Sequence, residues 1–486
     1  MPRKNAFNRI CILLLALLVL AVFGCSPKED TTDVSADTAE PVVISVVTPE
    51  PTPEPTPEPE PQLRYIFLFI GDGMSTPQIQ AANDALAAVG REPLSFVDFP
   101  VCGYAHTGNI DGDVTDSAAA VTAMSCGQKT ENGYLGLDAD GNRLTNFAET
   151  FRDEGRKIGI LTTVSLDHAT PAGFYAHVDS RYDYALIADD LFASGFDFFA
   201  GGRFHKTPNA EDLAVENGYT LVYSPDGAAG LSGRLIVSSD LTFGDYGVSP
   251  AIDGGERDGW LADCTSLAID DLTQQNGFFI MVEGGRIDYF CHYNDAASFV
   301  AELLDFDQAV AAGVAFYEAH PYETLILVTG DHETGSVTLA DGDRSALLKQ
   351  TISSDECDDT LVAECISAQT PFEEALPLFA AAFGLDLDAL TEDETAYLET
   401  AYLHTLKGDL TSDESKSQYG VYEPITCALD DLVAQHAGLT FGSGSHSLMD
   451  VPVFALGVGQ EYFTGDYENT YIHDGILLAA EAYPIG

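Results

Sequence analysis

The sequence has few basic residues. Only 21 of its 486 residues are Lys or Arg, against 77 Asp or Glu, which gives a formal net charge of −56 with neutral histidines. Electrostatic binding to nucleic acid or to anionic lipid needs clustered Lys and Arg side chains, so this composition excludes both kinds of partner. Disorder of the whole chain is excluded as well, because 45% hydrophobic and 10% aromatic residues can form a large core.

Paired cysteine motifs are also missing. The chain has nine cysteines but no Cys-x-x-Cys, so zinc ribbons and thioredoxin-like redox sites have no support. Seven of the cysteines follow residue 62, and Cys357 and Cys365 are the closest pair in sequence. Disulfides are permitted if the protein is exported, but an odd total leaves at least one thiol free or in an intermolecular bond.

Residues 1–25 have the features of a secretory signal segment. Three basic residues precede the continuous apolar run Ile10–Phe23. This run is too short for a transmembrane helix, which needs roughly 20 residues. The sequence Val-Phe-Gly-Cys that ends at Cys25 resembles a bacterial lipobox, whose cysteine carries the lipid. Plain cleavage and a retained N-terminal anchor are the alternatives.

Residues 26–62 are predicted to be a disordered, acidic, Pro-rich tether. Three Thr-Pro-Glu-Pro units follow one another from Thr48 to Pro59. Proline at every second position prevents a helix and removes backbone donors, which favours an extended polyproline II segment. A lipid anchor followed by a tether predicts an exported protein, held at the cell-envelope surface through its N-terminus alone or released outside the cell.

From residue 63 to residue 486 the sequence predicts one α/β domain. The predicted strands are Arg64–Ile70, Lys157–Val164, Gly277–Val282, Glu323–Thr329 and Val451–Val458, and the main predicted helices are Asp116–Cys126, Arg181–Ser194 and Asp295–His320. Continuous apolar strands separated by helices indicate a mostly parallel sheet with helices on both faces. Two long stretches, near 201–260 and 336–442, are predicted to be insertions with helical and irregular structure.

Acidic residues and histidines follow several of these strands. Asp72, Glu283 and Asp331 come at or just after the ends of three of them, and Asp288 and His292 are spaced for one face of a helix. Ligands bind at the carboxyl ends of parallel strands. Carboxylates brought together there repel one another unless cations or protons compensate. Each cluster taken singly also has a structural explanation, as a turn, a helix cap or a solvated strand end.

Divalent cations bound by such a cluster could take part in catalysis. Two of them can polarise a phosphoryl oxygen and align the attacking and leaving oxygens. Ser117 begins a predicted helix, where free backbone N–H groups favour an anion, and its hydroxyl is suited to be the attacking group. The residues thus indicate metal-assisted phosphoryl transfer.

Six motifs occur in the order seen in alkaline phosphatases, and they resemble that family from about Tyr65 to Gly459. The motifs are Ile70-Gly71-Asp72-Gly73-Met74, Thr115-Asp116-Ser117-Ala118, His168-Ala169-Thr170-Pro171-Ala172, Glu283-Gly284-Gly285-Arg286-Ile287-Asp288 with His292, Gly330-Asp331-His332-Glu333, and Gly444-Ser445-His446. The resemblance implies hydrolysis of small phosphate monoesters to an alcohol and inorganic phosphate through a phosphoserine at Ser117. It also leaves a homodimer open.

The same resemblance implies two Zn²⁺ ions, one Mg²⁺ ion and a phosphate-binding Arg181. The ligands that it implies are Asp288, His292 and His446 for one zinc ion, Asp72, Asp331, His332 and the nucleophile Ser117 for the second, and Asp72, Thr170 and Glu283 for magnesium.

Two residues depart from the best-known bacterial pattern. His168 stands where that pattern has Asp, as in animal members, and Tyr289 stands where it has Lys. Both are expected beside the substrate, with packing as an equal alternative for Tyr289. An imidazole at His168 also leaves open whether the third site prefers magnesium or a zinc-like ion, because nitrogen ligands favour the latter.

Two other functions remain open at this stage. One is a phosphodiesterase or another metallohydrolase of the same superfamily. A sulfatase is excluded, because the chain lacks the Cys/Ser-x-Pro-x-Arg run that sulfatases need. The other is a non-enzymatic surface lipoprotein that binds a ligand or an ion.

Overall fold

The computed structural model describes residues 59–486, except 229, 244–246, 409–418 and 420–421. The predicted signal segment, Cys25 and the tether up to residue 58 lie outside the described residues, so these predictions stay open. Within the described part, no helix has both the length and the apolar character needed to cross a membrane. None of its seven cysteines forms a disulfide, Cys357 and Cys365 included.

A ten-stranded sheet forms the centre of the fold. Its strands in chain order are β1 Tyr65–Gly71, β2 Val101–His106, β3 Lys157–Thr162, β4 Phe198–Gly201, β5 Thr220–Val222, β6 Leu235–Ser238, β7 Phe278–Gly284, β8 Thr324–Gly330, β9 Val451–Gly457 and β10 Asp466–Glu468. They lie in the order β10-β2-β9-β8-β1-β7-β3-β4-β6-β5. Only β9 is antiparallel to its neighbours. The predicted mostly parallel sheet is confirmed.

The sequence predicted β1, β3, β7, β8 and β9 and missed the other five strands. The missed strands have six residues or fewer. β2 buries only Gly103 and Ala105 among its six residues, and the apolar runs of β4 and β6 are only three residues long, which is too short to identify a strand. Both β5 and β6 come from the stretch 201–260 that the sequence predicts to be an insertion. In the structure this stretch extends one edge of the sheet.

Helices cover both faces of the sheet, as predicted. They are α1 Thr76–Ala88, α2 Ser117–Cys126, α3 Phe147–Asp153, α4 Ala169–Ala172, α5 Tyr184–Ala193, α6 Ala210–Glu216, α7 Pro225–Ala228, α8 Trp260–Leu272, α9 Arg286–Tyr293, α10 Ala296–Ala319, α11 Ser354–Cys357, α12 Ala363–Ala368, α13 Phe372–Ala382, α14 Glu392–Lys407, α15 Pro424–Ala437 and α16 Tyr471–Ala482. Two of the helices begin one residue later than the sequence predicts, because Asp116 and Asp295 are N-caps whose side chains accept backbone hydrogen bonds.

Alternate residues of the central strands pack into two cores. In β1, Leu68 and Ile70 face the core shared with α2 and α16, whereas Phe67 and Phe69 face the core shared with α1 and α10. Helices α11 to α15, from the stretch 336–442, add to the second core. Burial on both faces explains why all seven residues of β1 are buried and read as one apolar run.

The register of the three central strands fixes where the site forms. Gly71 at the end of β1 lies level with Gly284 of β7 and Gly330 of β8. The chain is tightly packed at this point, since a Cβ on Gly330 would lie 2.1 Å from the carbonyl oxygen of Met74. The residues that follow these glycines therefore meet at one edge of the sheet.

Candidate active site

The predicted residues meet at the carboxyl ends of β1, β7 and β8. A cavity of about 470 Å³ opens there, and its lining includes Ser117, His168, Arg181, Asp288, Tyr289, His292 and His446. Asp72, Glu283, Asp331 and His332 lie fully buried, with no exposed surface. Every residue that the sequence predicts for the site therefore lies at this edge of the sheet or is bonded to a residue there.

The first cluster consists of Asp288, His292 and His446. The Nε2 atoms of the two histidines are 3.2 Å apart, and a carboxylate oxygen of Asp288 lies 3.2 Å from Nε2 of His292. Nδ1 of His292 faces the carbonyl oxygen of Gly444 at 2.8 Å, and Nδ1 of His446 faces that of Thr115 at 2.9 Å. A carbonyl only accepts hydrogen bonds, so each Nδ1 carries a proton and Nε2 is the ring atom left to bind a metal ion.

The second cluster surrounds His332. Its Nε2 lies 3.5 Å from Oδ1 of Asp72, 3.3 Å from Oδ2 of Asp331 and 3.2 Å from the hydroxyl oxygen of Ser117. Asp288 also belongs to this group, because one of its carboxylate oxygens is within 4.8 Å of ligand atoms on Asp72 and His332. Asp288 therefore belongs to both the first and the second cluster.

The third cluster contains Asp72, Glu283 and His168, whose ligand atoms all lie within 4.8 Å of one another. Thr170 donates a hydrogen bond to Oδ2 of Asp72 at 3.2 Å. Thr162, which the sequence did not single out, donates one to Oε2 of Glu283. The structure thus places the imidazole of His168 directly at the third site, where the resemblance implied an oxygen-rich set.

Ser117 and Arg181 are positioned by Asp116. The Asp116 carboxylate caps α2 by accepting the Ala119 N–H at 3.0 Å, which fixes Ser117 as the first residue of the helix. The same carboxylate accepts a hydrogen bond from a terminal nitrogen of Arg181 at 3.1 Å. The other terminal nitrogen lies 3.2 Å from Nε2 of His168. Both functional groups therefore open into the same cavity.

Burial and mutual repulsion shift the pKa values of the carboxyl groups. Burial, followed by the charge of Asp331, raises the pKa of Asp72 well above its ordinary value. Burial, followed by Asp288, raises the pKa of Asp331 to about 7, and burial raises that of Glu283 to about 8. Burial also raises the pKa of Asp288, but the hydrogen bond and charge of His292 outweigh it, so that the net shift is downward.

The donor atoms fit metal ions. Within the described residues, Oδ1 of Asp72, Oδ2 of Asp331 and Oε1 of Glu283 are buried and accept no hydrogen bond. Buried polar atoms without a partner are costly. The first two clusters offer mixed carboxylate and imidazole donors, which suit zinc, whereas the third is mainly oxygen.

Several residues of the site were missed by sequence reasoning. Thr334 donates a hydrogen bond to Oδ1 of Asp288 at 2.5 Å. The sequence indicated Asp116 only as the first residue of a predicted helix and as part of a motif, with no role of its own in the site. Four further tyrosines line the cavity, namely Tyr182, Tyr184, Tyr293 and Tyr422. Asp116 and Thr334 lie within or beside predicted motifs, so their position was a signal. Tyr422 comes from the distant stretch 336–442 and gave none.

Comparison with known proteins identifies the family. Residues 63–195 and 242–482 match the sequence profile described as alkaline phosphatase. The chain belongs to the alkaline phosphatase family. Like the curated Alkaline phosphatase 4 of Bacillus subtilis, to which it is 29% identical over 84% of this chain and 87% of that protein, it is an alkaline phosphatase family hydrolase.

Solved alkaline phosphatases have the same fold. The cold-active alkaline phosphatase of Shewanella matches with a TM-score of 0.72 and 25% identity, over 86% of this chain and all of that one. A variant of the alkaline phosphatase of the Antarctic bacterium TAB5, with a histidine replaced by aspartate and magnesium bound in its M3 site, matches with a TM-score of 0.61 and 27% identity, over 87% and 99% of the two chains.

The contribution of this site to the stability of the metal-free protein should fall as the pH rises from about 4 to 9. Asp331, Glu283 and His292 have ordinary pKa values of 3.8, 4.5 and 6.5, and the folded protein raises them to about 7, 8 and 9. Between its ordinary and its raised pKa, each group keeps in the folded state a proton that the unfolded state has lost. Each such proton costs about 1.4 kcal/mol of stability per pH unit.

Urea unfolding of chelator-treated protein at several pH values measures this slope. Zinc and magnesium should remove it, because the ions replace the protons among the carboxylates. If the free energy of unfolding depends on pH in the same way with and without metal, the ions do not bind among these carboxylates.

Proposed function

We propose that the protein hydrolyses phosphate monoesters through a phosphoserine at Ser117. The observation that carries this proposal is the position of the Ser117 hydroxyl, which lies at the start of α2, 3.2 Å from Nε2 of His332 and in the same cavity as Arg181. A nucleophile, a group that binds the phosphate and three sets of metal ligands thus surround one space. A non-enzymatic binding protein would not need the hydroxyl in that place.

The reaction proceeds in two displacements. Oγ of Ser117 loses its proton and attacks phosphorus, the new Ser–O–P bond forms, and the bond to the substrate alcohol breaks as the leaving oxygen takes up a proton. A water molecule then loses a proton and attacks the same phosphorus, the Ser–O–P bond breaks, Oγ of Ser117 takes up a proton again, and inorganic phosphate leaves. The backbone N–H groups at the start of α2 favour the negative charge on the phosphoryl oxygens during both steps.

Arg181 supplies the contact to the phosphoryl group. Its guanidinium is held by Asp116 at 3.1 Å, and its backbone N–H donates to the carbonyl oxygen of Gly133 at 2.8 Å. A planar guanidinium can donate two parallel hydrogen bonds to two non-bridging oxygens. The ion pair with Asp116 keeps this group in place before the substrate arrives, which lowers the entropy lost on binding.

Two zinc ions and one magnesium ion are proposed as cofactors, with the three clusters as their ligands. Asp288, His292 and His446 would hold one zinc ion, His332 with Asp72 and Asp331 the second, and Asp72, Thr170 and Glu283 the magnesium ion. Bound there, the ions would supply Lewis acidity to the attacking and leaving oxygens. Magnesium in the M3 site of the TAB5 variant supports a third site, although here His168 adds a nitrogen to it.

Ser117→Ala should retain fold and metals but lose most monoesterase activity, because the covalent intermediate cannot form. We expect a loss of at least about 100-fold in kcat, the scale on which covalent and acid–base groups act. Ser125→Ala on the same helix is the matched control, since its buried hydroxyl donates to Gly173 instead of facing the cavity. Incubation with labelled phosphate at mildly acidic pH should label Ser117 in the wild type. An unlabelled serine in active enzyme would contradict the covalent route.

Arg181→Ser should lower the preference for monoesters over diesters. A monoester dianion has three non-bridging oxygens and can contact the metals and the guanidinium together, whereas a diester has two. The activation free energy of monoester turnover should rise by about 1.5–3 kcal/mol, which is the value of a hydrogen bond to a charged group.

Diester turnover should change much less in this variant, and the exposed Arg91→Ser serves as the control. Both substrate types are measured with zinc and magnesium present. An unchanged ratio of monoester to diester turnover would favour the phosphodiesterase alternative.

The cellular location is also proposed. The signal segment, Cys25 and the tether 26–62 support an exported protein with a lipid on Cys25, at the cell-envelope surface. In a bacterial host, labelled palmitate should enter the wild-type chain and not Cys25→Ala, which should be released from the membrane fraction. A wild-type chain without label would favour cleavage and secretion.

A homodimer stays a prediction, and light scattering of the purified protein tests it.

A further inference from the structure

The mouth of the active-site cavity is lined by tyrosines. Five of its twelve lining residues are Tyr182, Tyr184, Tyr289, Tyr293 and Tyr422, while the ionisable and hydroxyl groups described above make up the rest. Arg181 is the one Lys or Arg among these described lining residues. Beyond the phosphate position, the cavity therefore offers aromatic surface and no second Lys or Arg side chain for another anionic group.

Four of these rings already have neighbours. Tyr293 and Tyr422 form a pair with their ring centroids 4.6 Å apart. Tyr184 lies 4.4 Å from the ring of His205, and the guanidinium of Arg286 lies 5.6 Å from the ring centroid of Tyr289. These contacts help to hold the rings in place.

Tyr182 differs from the other four. It is 73% exposed, the largest value among the exposed large hydrophobic side chains of the described residues. Its backbone is nevertheless fixed, because the neighbouring Arg181 N–H donates to Gly133 and the Asp183 N–H donates to Ser180 at 3.0 Å. The chain thus holds an aromatic ring in water beside the residue that binds the phosphate.

The cavity is larger than the phosphoryl group needs. A phosphoryl group has the size of a few water molecules, each of which takes about 30 Å³ in the liquid. Most of the 470 Å³ is therefore available to the alcohol part of the substrate. An exposed tyrosine on a fixed backbone has only two side-chain torsions to restrict when a planar ring stacks on it, so that binding costs little conformational entropy.

We propose that Tyr182, with the other tyrosines at the mouth, selects phosphate monoesters whose alcohol carries an uncharged planar ring, such as a nucleoside or an aryl group. The inference rests on the proposed monoesterase function and adds a substrate class to it. Tyr182 acts as a specificity-determining residue, because it contacts the alcohol part of the substrate and not the reacting phosphorus. The ring of the substrate covers the exposed face of Tyr182.

Kinetics with three substrates test this proposal. Adenosine 5′-monophosphate and phenyl phosphate carry rings at different distances from the phosphate, and glycerol 2-phosphate carries none. In Tyr182→Ala we expect kcat/KM for at least one ring substrate, relative to glycerol 2-phosphate, to fall about fivefold to tenfold, mainly through KM. Tyr182→Phe should keep the wild-type ratio, since stacking needs the ring and not the hydroxyl. The 42% exposed Tyr104, outside the cavity, supplies the control Tyr104→Ala.

The two ring substrates distinguish the sources of the ring. A loss confined to adenosine 5′-monophosphate identifies a nucleoside, and a loss confined to phenyl phosphate identifies an aryl group next to the ester oxygen. Either result supports the proposal. Equal ratios in wild type and Tyr182→Ala for both ring substrates would overturn it.

A binding measurement separates this proposal from the proposed reaction. In full-length Ser117→Ala protein with zinc and magnesium, calorimetry gives the Kd of adenosine 5′-monophosphate, phenyl phosphate and inorganic phosphate without turnover. Adding Tyr182→Ala should weaken at least one ring ligand about fivefold to tenfold and leave inorganic phosphate within twofold. If no ester is hydrolysed by the wild type, the reaction is wrong, and this measurement still decides the role of Tyr182. An equal effect on all three ligands would overturn the proposal.

Discussion

Repulsion among buried carboxylates is the constraint on which the rest of this structure depends. Asp72, Glu283 and Asp331 come from adjacent parallel strands and lie without solvent exposure at one edge of the sheet. Without compensation these charges would oppose folding, and their raised pKa values express that cost as proton uptake. The same crowding gives cations a strong reason to bind.

A second layer of hydrogen bonds turns this crowded edge into an ordered site. Backbone carbonyls accept hydrogen bonds from Nδ1 of His292 and His446, which leaves Nε2 of each ring facing inward. Threonine hydroxyls donate hydrogen bonds to the carboxylates of Asp288 and Glu283. These partners fix ring orientation and tautomer, so the donor atoms converge before any ion arrives. Removing them would loosen the site without removing a ligand.

The residues that line the cavity come from more than one part of the chain. Ser117 and Asp116 belong to a helix start beside the sheet, whereas Tyr422 comes from the stretch that carries α11 to α15. The strands and their ends are packed on both faces and tolerate little change.

The sequence by itself determined the α/β class, the five long strands and the residues at their ends, because strands buried on both faces are continuously apolar and their ends carry the motifs. It did not reveal short strands such as β5 and β6, because apolar runs of about three residues are too short to identify a strand. It also did not reveal that β9 runs antiparallel, because strand direction leaves no local pattern. Only the tertiary structure decided that Asp288 belongs to two clusters, that Asp116 holds Arg181, and that five tyrosines surround one cavity. These relations join residues tens to hundreds of positions apart, and packing alone brings them within contact.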